Sequence, residues 1–233
     1  MKAVITCAGE GVRMWPLTQD TPKSLLKVAG RPILEHIFEN LPEEVSEVVV
    51  VVGYLGQQIR SYFGNEFLGR RIYYAAQEVN RERYGTWVAL LAAKPFLGGE
   101  KFLLLYGDDI IDCESIKRSL KHDLAVLVKE VPDPRRFGVV VADESGRILE
   151  FVEKPENPPS RLANTGVNVL DERVFNYPAP RHANGEFYLV DSVAEMAKDY
   201  PVYIEHADFW FSIATPEDLK RVDESLKTLA RRV

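Results

Sequence analysis

Two strand-length runs, Glu47–Val52 and Lys101–Tyr106, are apolar at every interior position. Successive side chains of a strand point to opposite faces, so a strand without a polar side must be covered on both. Neither run approaches the length of a membrane span. Lys2–Cys7 reads as a third buried strand, Arg71–Ala75 as another, and Leu124–Glu130 continues the series. Helical patterns fall between them: from Pro32, with apolar Ile33, Leu34, Ile37, Phe38 and Leu41, then over 55–63, 85–94 and 114–121. Buried strands alternating with helices predict an α/β fold, with a parallel sheet covered on both faces.

After about residue 130 the pattern changes. Gly138–Ala142 and Arg147–Glu153 flank Asp143-Glu144-Ser145-Gly146, a hairpin-like turn. Ala163–Leu170 and Phe209–Ile213 read as strands and 187–198 as a helix, with a closing helix from Pro216 whose cap is Thr215. No linker-like stretch separates the halves, so residues 1–233 read as one domain with two lobes. No hexapeptide period follows, so no C-terminal β-helix domain is expected. There is no signal peptide, which predicts a cytoplasmic protein. Cys7 and Cys113 have no metal spacing, and none of the four histidines lies three to five residues from another.

Charge narrows the function. The chain carries 29 Lys+Arg against 35 Asp+Glu, a net −6, which argues against nucleic acid or an anionic membrane as partner. Residues 1–31 reverse that sign: Lys2, Arg13, Lys23, Lys27 and Arg31 face only Glu10 and Asp20, a local +3. Within this stretch lies the loop after the first strand, A-G-E-G-V-R-M-W-P-L-T-Q-D-T-P-K from Ala8 to Lys23. Gly9 and Gly11 let backbone N–H groups approach a phosphate chain, while Arg13 and Lys23 supply a bidentate and a compact cation. A dinucleotide fingerprint would need glycine at Met14, and a Walker A loop would need Gly-Lys-Ser/Thr there; neither is present.

The whole string, with Arg, Pro-Leu-Thr and Pro-Lys at these spacings, resembles the signature of the sugar-phosphate nucleotidyltransferases. These enzymes join a nucleoside triphosphate to a sugar 1-phosphate and release pyrophosphate. The resemblance continues in order through Gly85-Thr86, Gly107-Asp108, Phe137-Gly138, Glu153-Lys154-Pro155 and Asn164-Thr165-Gly166. It implies a Rossmann-like, mostly parallel sheet with helices on both faces and a smaller mixed or antiparallel sugar-binding lobe. It places the nucleotide on about 1–130 and the sugar on about 131–233. Arg13 and Lys23 take the catalytic positions, and Ala8, Gly9, Gly11, Gln77, Gly85 and Thr86 contact the nucleotide. Gly138, Glu153, Lys154, Asn164 and Thr165 hold the sugar phosphate, and Asp108 binds Mg²⁺. Self-association stays open.

The chain also departs from that signature. Val12 replaces the usual threonine, Asn168 stands where relatives often carry an aromatic residue, and the segment between Gln77 and Gly85 is lengthened. Most consequential is W-F-S-I-A-T-P at 210–216, where relatives read W-x-D-x-G-T-P and that aspartate supplies a second metal carboxylate. Ser212 occupies its place. Asp208 lies roughly 13 Å further along an extended chain. Three readings remain open at this point: a sugar-1-phosphate nucleotidyltransferase, a cytidylyltransferase for phosphocholine or a similar small phosphate, and a non-catalytic regulatory relative. Asp108 itself has a plainer alternative, the cap of the helix that follows it.

Overall fold

The computed structural model describes residues 1–78 and 82–230. Its elements run β1 (Lys2–Cys7), the small β2–β3 hairpin (Lys27–Val28, Arg31–Pro32), α1 (Ile33–Glu39), β4 (Glu47–Val52) and α2 (Gly56–Phe63). Next come β5 (Glu66–Phe67), β6 (Arg70–Ala76), α3 (Thr86–Ala93), β7 (Phe102–Tyr106), β8 (Asp109–Ile111), α4 (Cys113–Ser119) and β9 (Ala125–Glu130). The second half contributes β10 (Gly138–Ala142), β11 (Ile148–Glu153), β12 (Leu162–Leu170), α5 (Leu189–Asp199), β13 (Tyr203–His206), β14 (Trp210–Ser212) and α6 (Pro216–Ala230).

The all-apolar runs do what their pattern dictates. β7, β1, β4 and β6 lie side by side in parallel. Ala3, Ile5, Val48, Val50, Leu103 and Leu105 point into a layer filled by Ile33, Phe38 and Ile59 from α1 and α2 and by Val222 from α6. Val4, Val49, Val51, Phe102 and Leu104 point the other way, against Trp87 and Leu90 of α3 and Leu189, Val193 and Met196 of α5. Each fully buried aliphatic contributes about 1.5–3 kcal/mol, so both helical layers are bound firmly to the sheet.

The antiparallel strands of the second half extend this same sheet. β12 runs antiparallel beside β7, with Asn168 opposite Leu104, and it also pairs β9 and β10. The order is β11-β10-β12-β7-β1-β4-β6-β5, with β9 branching from β12 and β13 pairing β9. The strand expected at 209–213 is β14; β8, which the pattern does not separate from a turn, pairs with it as a short antiparallel ribbon beyond β7, with Ser212 opposite Asp109. The expected helix at 187–198 starts later, at Leu189, because Phe187 and Tyr84 exchange backbone contact first. Among the described residues no helix is long and apolar enough to cross a membrane.

β1 is flanked by β4 on one side and β7 on the other, so the connections leave it in opposite directions. That switch point opens a crevice at the carboxyl ends of the strands, which is where ligands settle in such sheets.

Candidate functional site

The crevice is a cavity of about 510 Å³, lined by loops from four strands. Ala8, Gly9, Gly11, Arg13 and Lys23 come from the loop after β1, and Asp108 from the turn after β7. Gln77, following β6, and Gly85 and Thr86, at the start of α3, form the opposite wall. All nine residues singled out for the nucleotide and cation therefore line one space.

Local chemistry explains the loop. Gly11 adopts φ +64°, a left-handed conformation that opens a short turn at Val12–Met14, and its carbonyl accepts the Thr18 hydroxyl at 2.8 Å. Met14, where a dinucleotide fingerprint would carry glycine, is fully buried and anchors the turn in the core. A second turn, Lys23–Leu25, aims Lys23 back at the sheet. Its Nζ donates to Asp108 Oδ2 in an ion pair whose side chains are 14% and 31% exposed. Arg13 is exposed at the mouth, with no ion pair among the described residues.

Gly85 is required by packing. At φ +119° it passes so close to the second half that a Cβ would lie 2.3 Å from the Phe187 carbonyl oxygen. Tyr84 bridges Glu186, Phe187 N–H donates to the Tyr84 carbonyl, and Trp87 N–H donates to that of Phe187. Thr86 Oγ1 accepts the Leu189 N–H at 2.8 Å, so this wall is stitched to the start of α5. The stitching brings Tyr84 and Glu186 into the cavity lining. Sequence reasoning missed both, since nothing local to either residue announces their pairing. The lengthened segment before Tyr84 includes 79–81, outside the described residues.

Asp108 does not cap the following helix. That role belongs to Asp112, whose Oδ1 accepts the Ser115 N–H at 2.7 Å. Asp108 is left facing the cavity, its own carbonyl accepting Ile213 N–H at 3.0 Å. Asp109 is buried and accepts Trp210 Nε1–H at 2.9 Å. Burial pushes its carboxyl well above the ordinary carboxylate range, and the charge of Asp108 adds to the shift; hydrogen bonds from Trp210 and Ser212 oppose it. Asp208 cannot stand in for an acid at 212, because it is exposed and ion-paired with Arg118 at 2.8 Å. The Cys7 thiol is buried and raised to about 12, an inert core group.

The sugar-side residues gather next to this cavity rather than inside its lining. Gly138 stands opposite Glu153 in the β10–β11 pairing, and Lys154 N–H donates to the Phe137 carbonyl. Lys154 is held at φ +44°, an uncommon conformation for a residue with a side chain. Its Nζ lies 2.9 Å from Glu153 Oε1 and 4.4 Å from the centre of the Tyr188 ring. Burial raises the Glu153 carboxyl against the pull of Lys154; burial lowers Lys154, and Glu153 outweighs it to leave a net rise. Asn164 and Thr165 sit on β12 and hydrogen-bond within the fold. Asn164 Oδ1 accepts Gly166 N–H, and the fully buried Thr165 hydroxyl donates to the Leu127 carbonyl. Neither residue lies in the cavity lining.

Hard-oxygen chemistry suits Asp108. Among the described residues no cluster of three or more acidic, histidine or cysteine side chains forms a protein-only metal cage. One carboxylate on the wall of this cavity fits Mg²⁺, which keeps waters and substrate phosphates among its ligands.

Fold and cavity together define an α/β protein whose crevice presents a glycine loop, two cations and a carboxylate at the sheet's switch point. The chain belongs to the nucleotidyl transferase family, whose pattern matches residues 2–228. It is 36% identical over 229 residues to the bifunctional protein GlmU of Methanocaldococcus jannaschii, covering 97% of this chain and 54% of that one. It is 35% identical over 242 aligned positions to the UTP–glucose-1-phosphate uridylyltransferase AglF of Haloferax volcanii, covering 97% of each. The chain thus spans about half the length of the bifunctional relatives it matches. Its fold superimposes on a UDP-glucose pyrophosphorylase complexed with UDP-glucose, with a TM-score of 0.86 at 21% identity, over 97% of this chain and 98% of that one.

Proposed function

We propose that the protein is a sugar-1-phosphate nucleotidyltransferase, condensing a nucleoside triphosphate with a sugar 1-phosphate to give a nucleotide-sugar and pyrophosphate. The observation that carries this reading is the convergence of Arg13, Lys23, Asp108, Gln77 and Gly85-Thr86 on one cavity, with Glu153-Lys154 beside it. A phosphate oxygen of the sugar phosphate attacks the α-phosphorus; the bond to the bridging oxygen breaks and pyrophosphate leaves. No covalent protein intermediate is needed, so positioning and charge neutralisation supply the catalysis.

Backbone N–H groups of the Ala8–Gly11 loop cradle the triphosphate. Arg13 and Lys23 neutralise the β- and γ-phosphates as charge moves onto the leaving group. Gln77 reads the base edge, and Gly85 and Thr86 wall the base. Lys154 orients the phosphate of the sugar, Glu153 accepts sugar hydroxyls, and Gly138 leaves space between them. Mg²⁺, held by Asp108, would add charge neutralisation between the phosphates. A phosphocholine substrate is less well served: the Tyr188 face is already covered by Lys154, so a quaternary amine would have to displace a cation.

The test is pyrophosphate release across a panel of UTP, dTTP, CTP, ATP and GTP against glucose 1-phosphate, its N-acetylamino analogue, related hexose 1-phosphates and phosphocholine, with Mg²⁺. UTP with glucose 1-phosphate is the first pairing, given the activity named for the Haloferax relative. Turnover with at least one sugar 1-phosphate is expected. Release only with phosphocholine, or with nothing, sinks the proposal.

A further inference from the structure

Lys23 and Asp108 carry opposite duties in the proposed reaction, and they are bonded to each other. Both sit partly sheltered at the end of the crevice, where a charge deprived of its partner is costly. Resting on the triphosphate reading of this cavity, we propose that the Lys23–Asp108 ion pair is an exchange switch that makes the site accept a divalent cation and a triphosphate together and resist either one alone.

The argument is one of charge accounting. A triphosphate arriving alone takes Lys23 and strands the Asp108 carboxylate beside a polyanion. A divalent cation arriving alone takes Asp108 and strands the Lys23 ammonium next to a second positive charge. When both arrive, each released group is paired again, Lys23 with phosphate and Asp108 with the cation. The two ligands are therefore coupled through the pair they break, and the coupling is reciprocal. Arg13 is the contrast: it has no ion pair to give up among the described residues, so it is the cation open to first contact. Nothing else described competes strongly for Lys23. The neighbouring carboxyl, Asp109, turns instead to Trp210 and Ser212.

Titration calorimetry on the folded protein tests this without turnover. The probe is UTP, or whichever triphosphate of the panel above binds the wild type most tightly, measured in EDTA and in Mg²⁺. In EDTA, Asp108→Asn is expected to bind the triphosphate about tenfold more tightly than wild type, within the usual range of coupling between sites. It should also lose most of the enhancement that Mg²⁺ gives the wild type. The gain must vanish when Asp108→Asn is made on Lys23→Met, because it acts by freeing that lysine. Asp108→Ser carries the same expectations if Asp108→Asn does not fold. An Asp108→Asn protein that binds metal-free triphosphate no better than wild type overturns the switch. So does a gain that survives in the Lys23→Met background, which would reveal simple repulsion between Asp108 and phosphate. A wild type that binds no triphosphate under either condition brings down the nucleotide reading itself.

Discussion

Asp109 is a carboxyl in a poor place for stability. It is buried, lies next to Asp108 and receives only neutral donors, Trp210 and Ser212. A raised folded pKa means that the folded state holds the proton more tightly than the unfolded chain does. The contribution of Asp109 to stability is therefore most favourable in acid and falls as pH rises from about 4 towards the folded value. Asp109→Asn removes the ionisable group while keeping an oxygen for Trp210 and offering an N–H to the Ser212 hydroxyl. The variant should melt a few degrees above wild type at pH 7–8, with the difference closing below about pH 4. A thermal melt series across pH reads this directly, and a variant less stable than wild type at neutral pH contradicts it. The same geometry explains Ser212. An acid at 212 would face Asp109 in register across the β8–β14 ribbon, and like charges directly opposite repel.

At the scale of elements, α6 shows how a helix end fixes the site. Thr215 and Asp218 form a reciprocal cap: Asp218 N–H donates to Thr215 Oγ1, and Asp218 Oδ2 accepts the N–H groups of Thr215 and Ala214. Pro216 stands at the first helical position, where its missing N–H costs nothing. Asp218 also holds Arg136, next to Phe137, whose ring meets Trp210 edge-on. Losing these contacts in Asp218→Ala should cost about 2 kcal/mol, by the scale of cap and buried hydrogen-bond losses. Burial pushes the Asp218 carboxyl up, but Arg136 and the cap N–H groups outweigh it and hold it below the usual range. Its contribution is thus present above about pH 4 and lost as pH falls through the lower folded value. Urea denaturation at pH 7 and at pH 3 should show a clear gap between wild type and Asp218→Ala at the first and a narrowed one at the second. An equal gap at both pH values contradicts the role of the charge.

This cap was legible in the sequence because Thr-Pro-Glu-Asp is a local pattern, and β1, β4 and β7 were legible because a strand buried on both faces has no polar residue to confuse the reading. β13, Tyr-Ile-Glu-His, is half exposed and mixed, so its pairing with β9 had no periodic signal. The cavity wall was legible because parallel strands deliver their following loops to one edge. Tyr84 and Glu186 meet only through tertiary pairing, and Thr165 turns inward because the β12 irregularity reassigns its face. Spacing alone cannot report either event.

Across the whole molecule, the two halves share one continuous sheet, and each helical layer is built from both. α3 of the first half and α5 of the second close the same apolar layer, and Val222 of α6 packs in the layer that holds α1 and α2. Neither half keeps a complete core alone, so the protein should unfold as one cooperative unit. The tryptophans report on this separately. Trp87 is buried under the sheet face covered by α5, Trp210 lies half-buried on β14, and Trp15 is exposed. In Trp15→Phe/Trp210→Phe the fluorescence follows Trp87; in Trp15→Phe/Trp87→Phe it follows Trp210. Within each variant the fluorescence and far-ultraviolet dichroism transitions in urea should coincide. A Trp210 transition that precedes the dichroism change would show the second half melting independently. The sheet would then be a frame joining two stability units, and the Glu153–Lys154 side could be lost while the glycine loop and Lys23–Asp108 stayed in place.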